Sequence, residues 1–456
     1  MRETIKAVLA ARPGVADWLL VELRKSGSEI YLIGDQTDIS RAVESLNYTL
    51  LVYVDSETSG QQSRGEARVT LHPTMSEEEV ARAVDRAIFA ASRSRNPWYG
   101  LPEGAPPLVA LPPGGFEGRS PASWAAELRD AILDAADPSK GLAERPGAMK
   151  GALASAPRLN SLELFLTKRE TRILSSRGVD VGFSSHEGYI EYVVEAEGEA
   201  GEVELFDDLR FSEPDFDRIG GEIEGALALV GERAHALPLP ALAGLPLILG
   251  GKEAASVLAW FFDNADAGRM WLGSSPFALG ASVHGDSARA GEYDPIELAA
   301  EAILRGHPAS APFDEEGVPL ARHPLVQGGE LRGLAGSSRY SSYLKLPVVG
   351  GYRLFSVGAG SLGLEAMRAR PHLEVARFSD FNVDPDSGDF GGEIRLGWHF
   401  DGKRRVPISG GSVTGSLFEN RGRLRMSSEI GLAGSMLGPR NILLPAVSIT
   451  GAATGG

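Results

Sequence analysis

Val80, Val84 and Ile88 recur every four residues behind a Ser76 that has Glu79 three positions on. This predicts an amphipathic helix opened by a capping box. The same spacing returns at Trp124, Leu128 and Ile132, after a Ser120-Pro121 pair suited to a helix start. Ser161 to Ser175 and Gly182 to Glu195 alternate in part and carry β-branched residues, which predicts antiparallel strands, and a further helix is expected over Asp217 to Ala236. Ala254, Val257, Leu258, Phe261 and Phe262 then occupy i, i+3, i+4, i+7 and i+8, one broad apolar helix face. Beyond them the chain is glycine-rich and strand-like to its end. The mixture predicts an α+β fold, with N-terminal α/β regions carrying antiparallel strands and a glycine-rich, mostly antiparallel β C-terminal domain.

Two Pro/Gly-rich segments, Pro97 to Pro121 and Leu237 to Gly251, punctuate this pattern. They divide the 456 residues into an N-terminal α+β domain (1–100), a central α+β domain (118–235) and a C-terminal β-rich domain (236–456). No fixed-period repeat is visible. The formal charge of -16, with no Lys/Arg-dense stripe, argues against direct nucleic-acid binding. The absence of cysteine excludes disulfides, thiolate metal sites and a cysteine nucleophile, and fits a reducing compartment. Met1 to Pro13 has no apolar signal-peptide core. Ala236 to Gly251, broken by Pro238, Pro240 and Pro246, falls short of the roughly 18–20 residues that span a bilayer. A soluble cytoplasmic protein is expected, with no membrane partner.

Candidate chemistry is sparse. No two of the eight histidines lie close enough to share a helical zinc site, and His186-Glu187 is followed one turn on by Tyr189 and Ile190. Gly358-Ala-Gly360-Ser-Leu-Gly363 follows a strand-like run and has Asp380 about 20 residues on, as a dinucleotide site would. Only Leu364 to Ala369 could be helical before Pro371, too short for a crossover, so a glycine turn between antiparallel strands is the simpler reading. Ser361 in the same loop approximates a nucleophile elbow with His399 downstream, but lacks the first glycine and a parallel sheet. Asp314-Glu315-Glu316-Gly317 reads as a solvated turn. Asp384 to Asp389 reads as a hairpin turn, because a calcium loop would need a glutamate where Leu396 falls nearby.

Pro312-Phe-Asp-Glu-Glu-Gly-Val-Pro319, followed by His323-Pro-Leu-Val-Gln-Gly-Gly-Glu-Leu-Arg-Gly333, resembles the signature stretch of the TldD/PmbA family. Further resemblance lies in Phe381 to Phe390, in Pro407 to Phe418, in Gly438 to Pro445, and in Asn160 to Gly178. The zinc-bearing branch of that family carries an H-E-x-x-x-H helix and a later cysteine. Laid on this chain, the motif puts Ala259 at the first histidine, Trp260 at the glutamate and Asn264 at the second histidine. None can stand in for its counterpart. Lys252-Glu-Ala-Ala-Ser-Val-Leu258 instead resembles the metal-free PmbA/TldE-type branch, whose helix begins P-E-x-A-A-S-L-L.

The resemblance implies a non-catalytic subunit with no cofactor of its own. It would pair with a TldD-like subunit that holds the zinc, the two enclosing a chamber where unfolded peptides are cleaved or matured. Strand addition would hold extended peptides there, with Phe313, Asp314, Gly358 and Gly360 as candidate groove residues. Two other readings stay open. One is a self-associating, homodimeric peptide-binding or scaffold protein; the other is an independent enzyme built on the 358–363 loop.

Overall fold

The computed structural model describes residues 1–104, 115–137, 156–199, 201–242, 244–285 and 288–452. Of the two punctuating segments, residues 105–114 and 243 lie outside this set. The N-terminal half runs α1 (Arg2–Ala10), β1 (Asp17–Ile33), β2 (Gln36–Thr58), β3 (Gln61–Leu71), α2 (Glu77–Ala91) and β4 (Asn96–Pro97). It continues with α3 (Pro121–Ala136), β5 (Arg158–Ser175), β6 (Asp180–Gly198), β7 (Gly201–Phe211) and α4 (Phe216–Arg233). All seven strands form one antiparallel sheet, ordered β4-β3-β2-β1-β5-β6-β7. The regions 1–100 and 118–235 are thus joined at its centre, where β1 pairs with β5 from Leu19↔Ser175 to Ile33↔Ser161. The order helix, three-strand meander, helix occurs on each side of this seam. The duplication is one of topology, without a matching period in the sequence.

Helix starts follow the local chemistry. Ser76 Oγ accepts from the Glu79 N–H at 3.3 Å, and Glu79 Oε2 accepts from the Ser76 N–H at 2.8 Å, completing the capping box of α2. Ser120 Oγ accepts from the Ser123 N–H at 3.2 Å, with Pro121 at the first helical position of α3. Ser76→Ala is expected to lower the opening free energy of α2 by about 1 kcal/mol. Amide exchange across Glu77–Ala91 reads this, and unchanged protection would show that the cap contributes nothing.

Period-two alternation gives the sheet two faces. Even-numbered residues of β1 (Leu20, Ile30, Leu32) point to the helices: α1 and α2 cover one half of that face and α3 and α4 the other. Odd-numbered residues (Leu19, Val21) join Tyr53, Tyr99, Ile173 and Phe313 on the opposite face. Each fully buried side chain of this size is worth about 1.5–3 kcal/mol, so this register is strongly specified.

The C-terminal half runs β8 (Leu237–Pro238), β9 (Leu247–Gly250), α5 (Gly251–Asn264), α6 (Ala267–Leu272), β10 (Leu298–Glu301), β11 (His323–Gln327) and β12 (Glu330–Leu331). Next come α7 (Ser338–Leu344), β13 (Leu354–Val357), α8 (Leu364–Arg368), β14 (His372–Val383), β15 (Asp389–Phe400), β16 (Arg405–Ser409) and β17 (Ser412–Ser416). The last elements are α9 (Leu417–Asn420), β18 (Arg425–Met426), β19 (Ile430–Ala433), β20 (Met436–Pro439), β21 (Asn441–Leu444) and β22 (Val447–Thr450). They make a nine-stranded sheet, whose main path is β18-β21-β9-β14-β15-β16-β8, and a six-stranded sheet, β12-β11-β10-β13-β20-β19. Helix α5 lies between the two, touching β9, β14 and β21 of one and β10, β13, β19 and β20 of the other. This explains its apolar content. Ala254, Val257, Leu258, Trp260 and Phe261 are all at most 1 % exposed, and Phe262 stacks on Phe355 with ring centroids 4.9 Å apart. Among the described residues no helix is long and apolar enough to cross a membrane.

Candidate functional site

The odd face of the N-terminal sheet does not close fully on the C-terminal half. Between them lies a cavity of about 1530 Å³, larger than the roughly 300–1,000 Å³ of a typical small-molecule site. Leu19, Val21 and Leu23 of β1 form part of one wall, and the start of α5, the 307–316 loop and the β19–β20 turn form part of the other.

Ion pairs tie the walls at both ends. Lys252 Nζ bonds Asp207 Oδ1 at 2.8 Å and Asp208 Oδ1 at 3.2 Å, and Arg377 also pairs with Asp207. At the far end Arg339 of α7 donates to Glu66 Oε1 at 2.9 Å and to Asn96 Oδ1 at 2.8 Å. For Glu253, Asp314 and Glu316, burial outweighs the nearby favourable groups and raises the pKa of all three. The Tyr99 hydroxyl donates to Glu66, and burial together with that carboxylate pushes the phenol pKa far up. The wall therefore mixes apolar side chains with charges, several of them ion-paired across it and three of them buried carboxyls raised by desolvation.

The structure brings only part of the sequence-derived set to this cavity. Phe313 and Asp314 are in its wall. Phe313 fills the apolar cluster under β1. Asp314 is a turn anchor: its Oδ1 accepts from the Glu316 and Val318 N–H groups, each at 2.9 Å, and its Oδ2 from the Gly351 N–H at 3.0 Å. Gly358 and Gly360 lie elsewhere, against Glu297 and the Met426–Ser427 backbone. A Cβ at Gly360 would come within 2.0 Å of Met426 O, so glycine there serves close packing. Ser361 Oγ accepts from Arg425 Nη2 at 2.5 Å, and the following α8 has five residues, which is no crossover helix. Asp384 Oδ1 accepts from the N–H groups of Asp386 and Ser387 in the turn between β14 and β15. His186 and Glu187 are neighbours on β6 and so point to opposite faces, Glu187 into the cavity and His186 against Phe116.

Ala259, Trp260 and Asn264 lie on α5 away from the cavity lining. Ala259 is half-buried and has no donor atom. Trp260 is boxed by Phe261, Phe277 and Phe418, with ring centroids 5.2, 5.2 and 5.7 Å away. Asn264 donates from Nδ2 to Trp260 O at 2.9 Å and to Pro385 O at 3.2 Å, and its Oδ1 accepts from Arg269 Nε at 3.1 Å. Both ends of the amide are committed, so these three residues do not fit a zinc ion. Among the described residues one group of three carboxylates comes together, Glu195, Glu202 and Glu204, but it includes no histidine and Arg158 already pairs with two of its members.

Sequence reasoning missed the larger part of the wall, including Leu19, Tyr53, Lys252, His307 and Arg339. A usable signal existed at Trp18 to Leu23, where Leu19, Leu20 and Val21 in succession mark a strand buried on both faces.

A helix-covered antiparallel sheet facing a two-sheet domain built around one buried helix, with a cavity between, defines an α+β fold that known proteins share. TldE from Thermococcus kodakarensis superposes with a TM-score of 0.75 at 16% identity, covering 99% of this chain and 100% of that one. Two candidate modulators of DNA gyrase are similar in the same way. The one from Thermotoga maritima has a TM-score of 0.74 at 14% identity, covering 98% and 100%, and the one from Bacteroides thetaiotaomicron 0.74 at 15%, covering 99% and 98%. No curated protein sequence matches the chain. Residues 244–453 match the PmbA/TldA metallopeptidase C-terminal domain. The family likeness thus lies in residues 244–453, and the likeness of fold extends over nearly the whole chain.

Proposed function

We propose that this chain is the zinc-free, PmbA/TldE-type subunit of a heteromeric metallopeptidase, and that its cavity forms part of the chamber in which unfolded peptides are held for cleavage or maturation. One observation carries the reading. The helix that bears the metal motif in the zinc branch is retained as the centre of a domain core, while its motif positions are Ala259, an aromatic-boxed Trp260 and a fully hydrogen-bonded Asn264. A TldD-like partner would supply the zinc, which activates water and polarises the scissile carbonyl. This chain's residues would contain and align the substrate. The size of the cavity suits a polymer segment better than one small molecule. A cytoplasmic location is part of the same reading.

The test is to purify this chain alone and together with the zinc-bearing relative from the same organism. We expect no stoichiometric zinc and no hydrolysis of a denatured peptide by the chain alone, then a stable complex whose hydrolysis a chelator abolishes. Stoichiometric zinc with cleavage by the isolated chain would overturn the reading. A homodimer that binds peptide and ignores the relative would establish the scaffold role instead.

A further inference from the structure

His307 is a cavity-wall residue that holds together parts of the molecule distant in sequence. It follows β10 in the 302–311 loop and is 8% exposed. Both ring nitrogens are committed to backbone. The Ala309 N–H donates to Nδ1 at 3.1 Å, so Nδ1 presents a lone pair; the ring proton is then on Nε2, which donates to Gly434 O at 2.9 Å. Gly434 is in the turn of the β19–β20 hairpin, and β19 is the edge strand of the six-stranded sheet. Leu432, Ala433, Gly434 and Ser435 all line the cavity. The same loop is fastened to the N-terminal half where the Ser212 N–H donates to Gly306 O at 2.9 Å. One neutral imidazole therefore bridges the loop and the edge hairpin.

That arrangement tolerates a single protonation state. A second ring proton on Nδ1 would meet the Ala309 N–H head on, two donors with no acceptor between them. The resulting cation would face Arg210 of β7 and Arg218 of α4. The facing carboxylate, Glu187 of β6, is already paired with Arg169 and Arg210. Arg305 of the loop itself points to solvent, and residues 430–439 contain no titratable group. Burial adds to the cost and holds the imidazole below its ordinary range. Movement of the loop outward is the simplest relief, and it removes the donor from Gly434 O.

We propose that His307 is an acid-released latch: neutral, it pins the β19–β20 hairpin into the cavity wall, and protonated, it frees the hairpin and the 302–311 loop so that the cavity loosens. The latch rests on these contacts and holds whatever the cavity binds.

Amide exchange of the full chain at pH 7.5 and pH 5.5, corrected for intrinsic exchange rates, tests it over residues 430–439. Protection in the wild type should fall several-fold at the lower pH, with a ceiling of about tenfold set by an open-state imidazole titrating at about 6.5. His307→Gln keeps a donor for Gly434 O but cannot titrate, and His307→Asn keeps an acceptor for the Ala309 N–H. Protection of the hairpin in both should be independent of pH, whatever its level. Wild-type protection equal at the two pH values, or the same pH dependence in either variant, would overturn the proposal. The wild-type measurement decides even if a variant fails to fold.

Discussion

Writing the zinc-branch residues back into α5, as Ala259→His, Trp260→Glu and Asn264→His together, is expected to unfold the C-terminal half and to recruit no metal. Removing the Trp260 indole from its box of three rings costs about 3–5 kcal/mol, and the glutamate that replaces it would be buried without a partner at a position 1% exposed. Losing the Asn264 amide removes three hydrogen bonds at about 1 kcal/mol each. It also frees Arg269 and the Pro385 carbonyl from the knot that ties α5 to the β14–β15 turn. Against a total stability of roughly 5–15 kcal/mol for a natural domain, the sum is disabling. Circular dichroism melting and elemental zinc analysis of the triple variant would measure both parts. A variant that melts like the parent and carries one zinc per chain would show that α5 is a dormant metal site.

Arg64→Met is expected to destabilise the N-terminal sheet by about 3–5 kcal/mol. Arg64 is fully buried, donates from Nη2 to Asp17 Oδ2 at 2.8 Å and from Nε to Asp55 Oδ1 at 2.7 Å, and is flanked by Tyr53, Trp98 and Tyr99. Methionine fills much of the volume but leaves both carboxylates short of a partner, although Arg177 continues to hold Asp17 with Nε at 2.6 Å. The change should also alter the acid limb of stability. Burial raises the Asp17 carboxyl, but hydrogen bonds from Arg177 and Ser176 and the charges of Arg64 and Arg177 outweigh it and leave the pKa low. Burial likewise opposes the bonds from Arg64 and Trp98 at Asp55, again with a net lowering. Groups lowered on folding stabilise above their unfolded pKa of about 3.9 and lose that contribution as pH falls through the folded value. Denaturant titrations below about pH 4 should therefore be flatter for the variant than for the parent. Equal slopes, or a loss under 1 kcal/mol, would show that Arg177 alone sustains the cluster.

What the sequence disclosed is what local chemistry dictates. The Ser76–Glu79 box, the Ser120-Pro121 start and the apolar face of α5 are written within a few residues, and all three appear as helices. β2 is the opposite case. Its first half, from Gln36 to Glu44, is exposed and mostly polar, and it is extended because β1 pairs with it from Ile33↔Gln36 onward, with one register shift between Tyr31 and Leu32. Tertiary pairing overrides the pattern there. The cavity was hidden for a similar reason. Its closing contact joins Glu66 to Arg339 across 273 positions, and no window of sequence spans that distance. Phe313 and Asp314 were found through family resemblance; Gly358 and Gly360 stood out as a glycine loop, yet their smallness serves packing against Met426.

The alternation along β1 and β5 has an evolutionary corollary. One strand supplies helix-facing filler at even positions and cavity lining at odd ones, so a one-residue insertion within it would exchange the two sets wholesale. Substitutions at odd positions can reshape the cavity while leaving the helix-facing core intact, whereas changes of length in these strands cannot. Divergence in this part of the protein is therefore channelled into side-chain replacement at fixed register.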